Sequence, residues 1–283
     1  MTAVPICILL TGCSVSSGAE VIGDMAYGLE IEFLGTGTST GVPMLLCPCP
    51  VCRSTDPRDK RLRASAVVRY KGANLLIDCG PDFRTQMLRA SDTRLDAVLL
   101  THFHFDHVAG LDDLRTYCYR HEDGFPLYAQ QRVLDALHQR IPYCFAEHPY
   151  PGVARFDEHV VGEGNQPFEV RGVTIQPIPV MHDKLPICGY RIGPMAYITD
   201  CKFIADEQVD RLKGIPLLVI NALRMTEHNS HMSLGETLAV VERVKPGKTF
   251  LIHMSDGIGL HARSHEVLPA GIELAYDGLI VNI

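Results

Sequence analysis

The segment Thr101-His102-Phe103-His104-Phe105-Asp106-His107 places four potential metal ligands within six residues. On an extended backbone alternate side chains share a face, so His102 and His104 point the same way. A turn after Phe105 returns Asp106 and His107 toward the same pocket. Imidazole nitrogen and carboxylate oxygen suit zinc, manganese or iron rather than calcium. The bland alternative is a surface histidine-rich turn, which crowds imidazoles with no evident gain. Three further apolar runs each end in one potential ligand: Val180-Met-His182, Ile198-Thr-Asp200 and Leu251-Ile-His253. Any one of these alone reads better as a satisfied core or surface residue; their repetition points to strand ends around one site.

Two other groups carry chemistry. Cys47, Cys49 and Cys52 are the clustered cysteines of ten, and the chain is too long and too cysteine-poor for a disulfide scaffold. A tight trio reads as a metal site in a reducing compartment; with Arg53, Arg58 and Lys60 nearby, a redox cluster is the alternative. The scattered cysteines read as small buried apolar residues. Asn229-Ser230-His231 precedes an expected helix, so His231 is either a functional imidazole or a neighbour of the helix cap, with His228 in reserve. His121, His138, His148, His159 and His265 match no ligand position and read as solvated.

The elements that must position these groups alternate in type. Strands are expected over 29–34, 66–70, 74–78, 95–101, 168–179, 189–192, 195–199, 216–220, 249–252, 272–274 and 279–281. Helices are expected over 83–90, 111–119, 131–139, 206–212 and 233–244. The pattern is a layered α/β domain over 29–283. Its 283 residues suffice to bury a core without staples. The net charge of −7 argues against binding nucleic acid through phosphate neutralisation. No apolar run approaches the ~18 residues of a membrane span. Residues 1–28 read as a disordered or artefactual extension, with Met25 a candidate start. Leu10-Thr-Gly-Cys13 looks like a lipoprotein processing box, but no Lys or Arg precedes it. A cytoplasmic protein is therefore expected, with an exported lipoprotein anchored through Cys13 as the alternative.

The order H-x-H-x-D-H, His, Asp, His, with Leu76-Ile-Asp78-Cys-Gly80 upstream, resembles the metallo-β-lactamase superfamily from about residue 29 to 283. The resemblance implies an αββα sandwich, two mixed sheets flanked by helices, with a dinuclear site at one edge. It assigns His102, His104 and His182 to one metal and Asp106, His107 and His253 to the other. Asp200 would bridge them, and Asp78 would orient a ligand from behind. More narrowly, Cys47-Pro-Cys49-Pro-Val-Cys52 after a glycine-rich loop, with His182-Asp-Lys-Leu and His253-Met-Ser-Asp256, resembles the PhnP-type phosphoribosyl cyclic phosphodiesterases.

That type implies a structural zinc on the cysteine trio and one residue three after the last histidine. Here that residue is Asp256 where the pattern has His, with His261 or a water as the other choices. It also implies that a histidine at 231 contacts phosphate and protonates the leaving oxygen. The expected function is hydrolysis of a small, cyclic phosphodiester with two active-site ions, Mn or Zn. Asp106, Asp200 and His231 would carry the chemistry. The expected partner is a small phosphorylated substrate or nucleotide; a homodimer is allowed for, a membrane is not expected, and nucleic acid is disfavoured.

A tRNA 3′-processing nuclease is the runner-up, but only 17 residues separate His182 from Asp200, too few for its tRNA-binding arm. A β-lactamase would carry Cys where Asp200 stands, and Cys201 is a decoy. Lactonase or thioesterase activity is compatible with the ligands. A non-catalytic zinc or nucleotide-binding module would bind metal without turnover.

Overall fold

The computed structural model describes residues 21–23 and 26–283 apart from 122 and 149. The processing box at Cys13 and the candidate start Met25 lie outside the described residues. In chain order the strands are β1 (Val21–Gly23), β2 (Leu29–Gly35), β3 (Ser65–Tyr70), β4 (Ala73–Ile77), β5 (Ala97–Leu99), β6 (Phe125–Gln130), β7 (Phe156–Val161) and β8 (Phe168–Val170). They continue with β9 (Val173–His182), β10 (Leu185–Ile192), β11 (Met195–Ile198), β12 (Leu217–Asn221), β13 (Lys248–Ile252), β14 (Ile272–Leu274) and β15 (Ile280–Asn282). The helices are α1 (Pro50–Arg53), α2 (Phe83–Met87), α3 (Phe105–Val108), α4 (Arg115–Cys118), α5 (Gln131–Arg140), α6 (Asp206–Arg211) and α7 (Leu234–Val244).

Two mixed sheets result, in the orders β1-β15-β2-β3-β4-β5-β6-β7 and β14-β13-β12-β11-β10-β9-β8. Three buried layers follow from the strand alternation. Phe33, Leu75, Ile77, Tyr190, Tyr197, Val219 and Phe250 fill the space between the sheets. Val67, Leu76, Val98, Leu127 and Leu137 pack helices on the outside of the first sheet. Ile198, Leu218, Ile220, Val241 and Val244 do the same for the second. This is the αββα sandwich that the resemblance implies.

Most expected elements are present, with three differences. Val21–Gly23, inside the stretch read as an extension, pairs in parallel with β15. The expected helix over 111–119 is a 3-10 turn, Leu111–Leu114, running into α4. Strands β6 and β7 were not expected: β6 carries Pro126, and β7 is a polar edge strand, FDEHVV, the composition that protects a sheet edge. Among the described residues no helix is long and apolar enough to cross a membrane.

Helix α7 is started by a capping box: Ser233 accepts from the Glu236 backbone N–H, and the Glu236 carboxylate accepts from the Ser233 backbone N–H at 2.8 Å. This fixes the chain immediately after His231. Between the sheets, the rings of Phe33 and Phe250 lie 5.7 Å apart. Phe250→Ala should lower unfolding free energy by about 3–5 kcal/mol through lost burial and a residual cavity. Urea unfolding checks this; a loss below about 1 kcal/mol would contradict the packing described.

Candidate metal centre and active site

Every candidate ligand stands at or just beyond the C-terminal end of a strand or on the turn that follows. Asp78 follows β4, His102 and His104 follow β5, His182 ends β9, Asp200 follows β11 and His253 follows β13. Asp78, Asp200 and His253 adopt φ of +59°, +55° and +54°. Non-glycine residues held there are strained by roughly 1–3 kcal/mol each, and such strain persists where the surroundings over-determine the backbone. His104 is the extended N-cap of α3, so the turn expected after Phe105 is a short helix that swings Asp106 and His107 back.

The side chains converge as two groups. The ligand atoms of His102, His104 and His182 lie within 4.8 Å of one another, as do those of Asp106, His107, Asp200 and His253. Asp200 is also grouped with His182 and His231, so its carboxylate faces both sets. The chemistry of these atoms fits divalent cations. His102 Nε2, His107 Nε2 and both His253 nitrogens are buried with no hydrogen-bond partner among the described residues. His107 Nε2 stands 3.2 Å from both Asp106 Oδ2 and Asp200 Oδ2, and His253 Nε2 stands 3.0 Å from Asp200 Oδ1. These approaches lack hydrogen-bond alignment, and the nitrogens and carboxylates border one shared space.

A second ring of contacts sets the tautomers. Asp78 Oδ1 accepts from the Thr101 backbone N–H at 2.8 Å, and Asp78 Oδ2 lies 2.7 Å from His107 Nδ1. The proton of that contact sits on His107 Nδ1, which turns Nε2 toward Asp106 and Asp200. Thr101 Oγ1 donates to Asp78 Oδ2 at 2.8 Å, so it accepts from His102 Nδ1 at 3.0 Å and frees His102 Nε2. The Ser230 carbonyl, which only accepts, takes the His182 Nδ1 proton at 2.7 Å. The roles of Thr101 and Ser230 were not read from the sequence. Thr101 is adjacent to the motif, whereas a backbone carbonyl leaves no residue-type signal.

Electrostatics follow from burial. Burial disfavours the Asp200 carboxylate, but His253 and His107 hold it well below the usual range. Burial likewise works against Asp106 and is outweighed by His107 and His253. Against its own burial, His107 is held well above an ordinary imidazole by Asp200, Asp106 and Asp78. Burial and then His107 push His102 well down. His231 Nε2 lies 3.1 Å from Asp200 Oδ1, and its Nδ1 lies 3.0 Å from Ser230 Oγ and 3.3 Å from His228 Nδ1. Burial pushes His231 down to about 4.

The cysteine trio forms a separate group. Cys47, Cys49, Cys52 and Asp256 present ligand atoms within 4.8 Å of one another, and Asp256 Oδ2 lies 3.4 Å from Cys47 Sγ and 3.3 Å from Cys49 Sγ. The Cys49 backbone N–H favours the Cys47 thiolate, yet the Cys49 thiol, burial, Cys52 and Asp256 together push Cys47 up to about 12. Of the basic residues that suggested a redox cluster, Arg58 pairs with Asp56, and Lys60 Nζ donates to the Cys52 backbone carbonyl. His261, the other choice of fourth ligand, points away, its Nδ1 3.5 Å from the Arg61 guanidinium. The five remaining histidines stand outside these groups. His138, His148 and His265 are exposed, while His121 and His159 are half-buried against Phe125 and Tyr128 rather than solvated. Cys79, Cys118, Cys144, Cys188 and Cys201 are buried as expected.

A family model described as the beta-lactamase superfamily domain matches residues 73–254, which spans the ligands from Asp78 to His253. The chain belongs to the metallo-β-lactamase superfamily. Membership implies binding of divalent metal and groups the chain with metal-dependent hydrolases. Within the superfamily it lies close to the PhnP type: a diphosphatase from the PhnP family superposes with a TM-score of 0.82 at 38% identity, over 89% of this chain and 96% of that one. The short form of human tRNase Z shares the fold, with a TM-score of 0.66 at 18% identity over 90% and 99% of the two chains. A Porphyromonas gingivalis protein named octanoyltransferase is 47% identical over 248 residues, 87% of this chain. The chain spans only 50% of that relative's length.

Two outcomes are expected. Asp78→Asn presents an N–H to His107 Nδ1, moves the imidazole proton to Nε2 and should weaken divalent-metal affinity by roughly 10–100-fold. Chelator competition measures this; wild-type affinity would contradict the tautomer assignment. Burial, then Arg61 and Arg58, push His261 down to about 4, so the folded protein holds it neutral. Unfolded, it titrates near its ordinary value of about 6.5. The stability it contributes is full above that pH and is lost as pH falls toward 4, because the unfolded chain takes up the proton first. Urea midpoints of wild type and His261→Gln should diverge over that window, and parallel curves would contradict it.

Proposed function

We propose that this protein hydrolyses a small, cyclic phosphodiester with two divalent ions, Mn or Zn, held by the histidine–aspartate cluster. The first ion would be held by His102, His104 and His182, and the second by Asp106, His107 and His253. Asp200 would be shared between them. The observation that carries the reading is this division of ligand atoms into two groups facing one carboxylate. The 38% identity to a PhnP-family diphosphatase supports phosphorus–oxygen chemistry. A structural zinc on Cys47, Cys49, Cys52 and Asp256 completes the proposal; three thiols crowded on a carboxylate gain most from a cation.

Divalent ions held in the cluster would acidify water toward neutral pH and offset charge developing on a phosphoryl group. The chain's own residues do the rest. Asp78, Thr101 and the Ser230 carbonyl orient three imidazoles with Nε2 toward the cluster, and a bound cation would displace the proton that the acids hold on His107. Asp106 and Asp200 supply negative charge that binds cations, while half-buried His104 and His231 line the side open to solvent. His231, whose Nε2 lies 3.1 Å from Asp200 Oδ1, would face the leaving oxygen and donate a proton to it. Ser230 Oγ fixes its ring.

The diphosphatase neighbour favours one second reading, cleavage of a phosphoanhydride, which the same charge arrangement would serve. A tRNA-processing role finds less support. The 17 residues between His182 and Asp200 are the sheet strands β10 and β11 and their turns, with no protruding arm. Acyl transfer finds no ready thiol at this site: Cys201, beside Asp200, is 0% exposed, and burial pushes its thiol strongly up.

Metal-loaded protein should hydrolyse bis-p-nitrophenyl phosphate and ribose cyclic phosphates; failure on both overturns the reading. Asp200→Asn should lose ion binding and activity together. His231→Ala should keep its ions and lose kcat by roughly 10²–10⁴-fold. In the same preparations, Cys49→Ser should lose one zinc by mass spectrometry, and His261→Ala should keep it. Zinc loss in the latter would refute Asp256 as the fourth ligand.

A further inference from the structure

Strand β12 lies between β11 and β13, and both neighbours lead into a candidate ligand, Asp200 and His253. β12 ends instead in Asn221, a neutral amide with 0% exposure. The β11–β12 ladder runs in parallel register from Met195 opposite Leu217 to Ile198 opposite Ile220 and then stops. Beyond it the β11 chain leaves the sheet through Asp200, in the left-handed conformation. There the Asn221 side chain takes over the work of the ladder. The Cys201 backbone N–H donates to Asn221 Oδ1 at 2.8 Å, and Asn221 Nδ2 donates to the Cys201 carbonyl at 2.9 Å. One amide thus satisfies both backbone groups of the residue that follows Asp200.

The clamp is itself anchored. Asn221 is in register with Ile252 on β13, one residue before His253, and its carbonyl accepts from Thr237 Oγ1 at 2.8 Å. The Cys201 carbonyl also accepts from the Met232 backbone N–H at 2.9 Å, next to His231. The peptide after Asp200, the end of β13 and the His231 loop therefore meet at Asn221 and Cys201, which the Asn221 side chain ties together. A primary amide sets a donor and an acceptor side by side, on separate atoms, as this task requires. Aspartate would set an oxygen against the Cys201 carbonyl, and leucine would leave a buried N–H and C=O unpaired.

We propose that Asn221 is a positioning residue: it holds Asp200 in its strained turn so that the carboxylate stays between His107 and His253, in reach of both ligand groups. The inference rests on the reading of Asp200 as a metal ligand and not on the identity of the substrate.

The test is zinc affinity by competition with a chromogenic chelator, read beside the melting temperature of the metal-free protein. Asn221→Leu and the isosteric Asn221→Asp are compared with Leu218→Ala, a core truncation on the same strand that leaves Cys201 untouched. The two Asn221 variants should weaken zinc binding at the histidine cluster by roughly 10–100-fold, the effect typical of groups that orient a ligand. Leu218→Ala should lower the melting temperature with zinc affinity unchanged. Wild-type zinc affinity in either Asn221 variant overturns the inference, as does an equal loss in Leu218→Ala at equal melting temperature. A wild type that binds no zinc at this cluster refutes the metal reading itself, a different failure from either of these.

Discussion

Three carboxylates, Asp78, Asp106 and Asp200, are buried together at one edge of the sandwich, at 0%, 8% and 2% exposure. Charges removed from water in this way are strongly unfavourable unless an opposite charge and well-placed donors compensate. Here the compensation comes from imidazoles, above all His107, whose proton is held by all three acids. A proton on His107 and a divalent ion beside it answer the same electrostatic demand, so the pocket is built for cations whichever occupies it. Much of the surrounding backbone serves that demand. Three residues are held left-handed, strands stop where a ligand is needed, and a capping box fixes the chain after His231.

The second thiol-rich group is mechanically joined to the first. Asp256, which faces the cysteines, is three residues beyond His253. Between them, Met254 exchanges backbone hydrogen bonds with the glycine-rich first loop: its N–H donates to the Thr36 carbonyl and its carbonyl accepts from Thr38 N–H, both at 3.0 Å. The loop is held from beneath by a buried knot. Asp277 accepts from Thr36 and from the Leu62 backbone N–H, and Arg61 donates to Thr36 Oγ1 and the Ala275 carbonyl. Burial pushes Asp277 up to about 6, and those donors, with Arg61, moderate the rise. Restraint at the cysteine group therefore reaches His253 through a short, hydrogen-bonded turn.

Much of the site was legible because its chemistry is local or periodic. The 101–107 segment declares itself by spacing, and His182, Asp200 and His253 stand out because an apolar run stops at each. Asp78 entered only through the family motif Leu76-Ile-Asp78-Cys-Gly80. The sequence could not show what depends on tertiary approach: the Ser230 carbonyl under His182, the Thr101 hydroxyl shared between Asp78 and His102, or the amide of Asn221. Nor could it choose Asp256 over His261, since both lie within reach in the chain and only packing turns His261 onto Arg61. β6 and β7 escaped because a proline and an edge strand's charges mask the alternation that marks buried strands. The family resemblance supplied the grouping of ligands; the residues alone left it open.

The most direct test of the central claim is anomalous diffraction from crystals of the metal-loaded protein, collected at the zinc and manganese edges. Two peaks are expected among His102, His104, His182, Asp106, His107 and His253, with the Asp200 carboxylate between them. A cluster with no peak, or with peaks that Asp200 does not touch, would contradict the account.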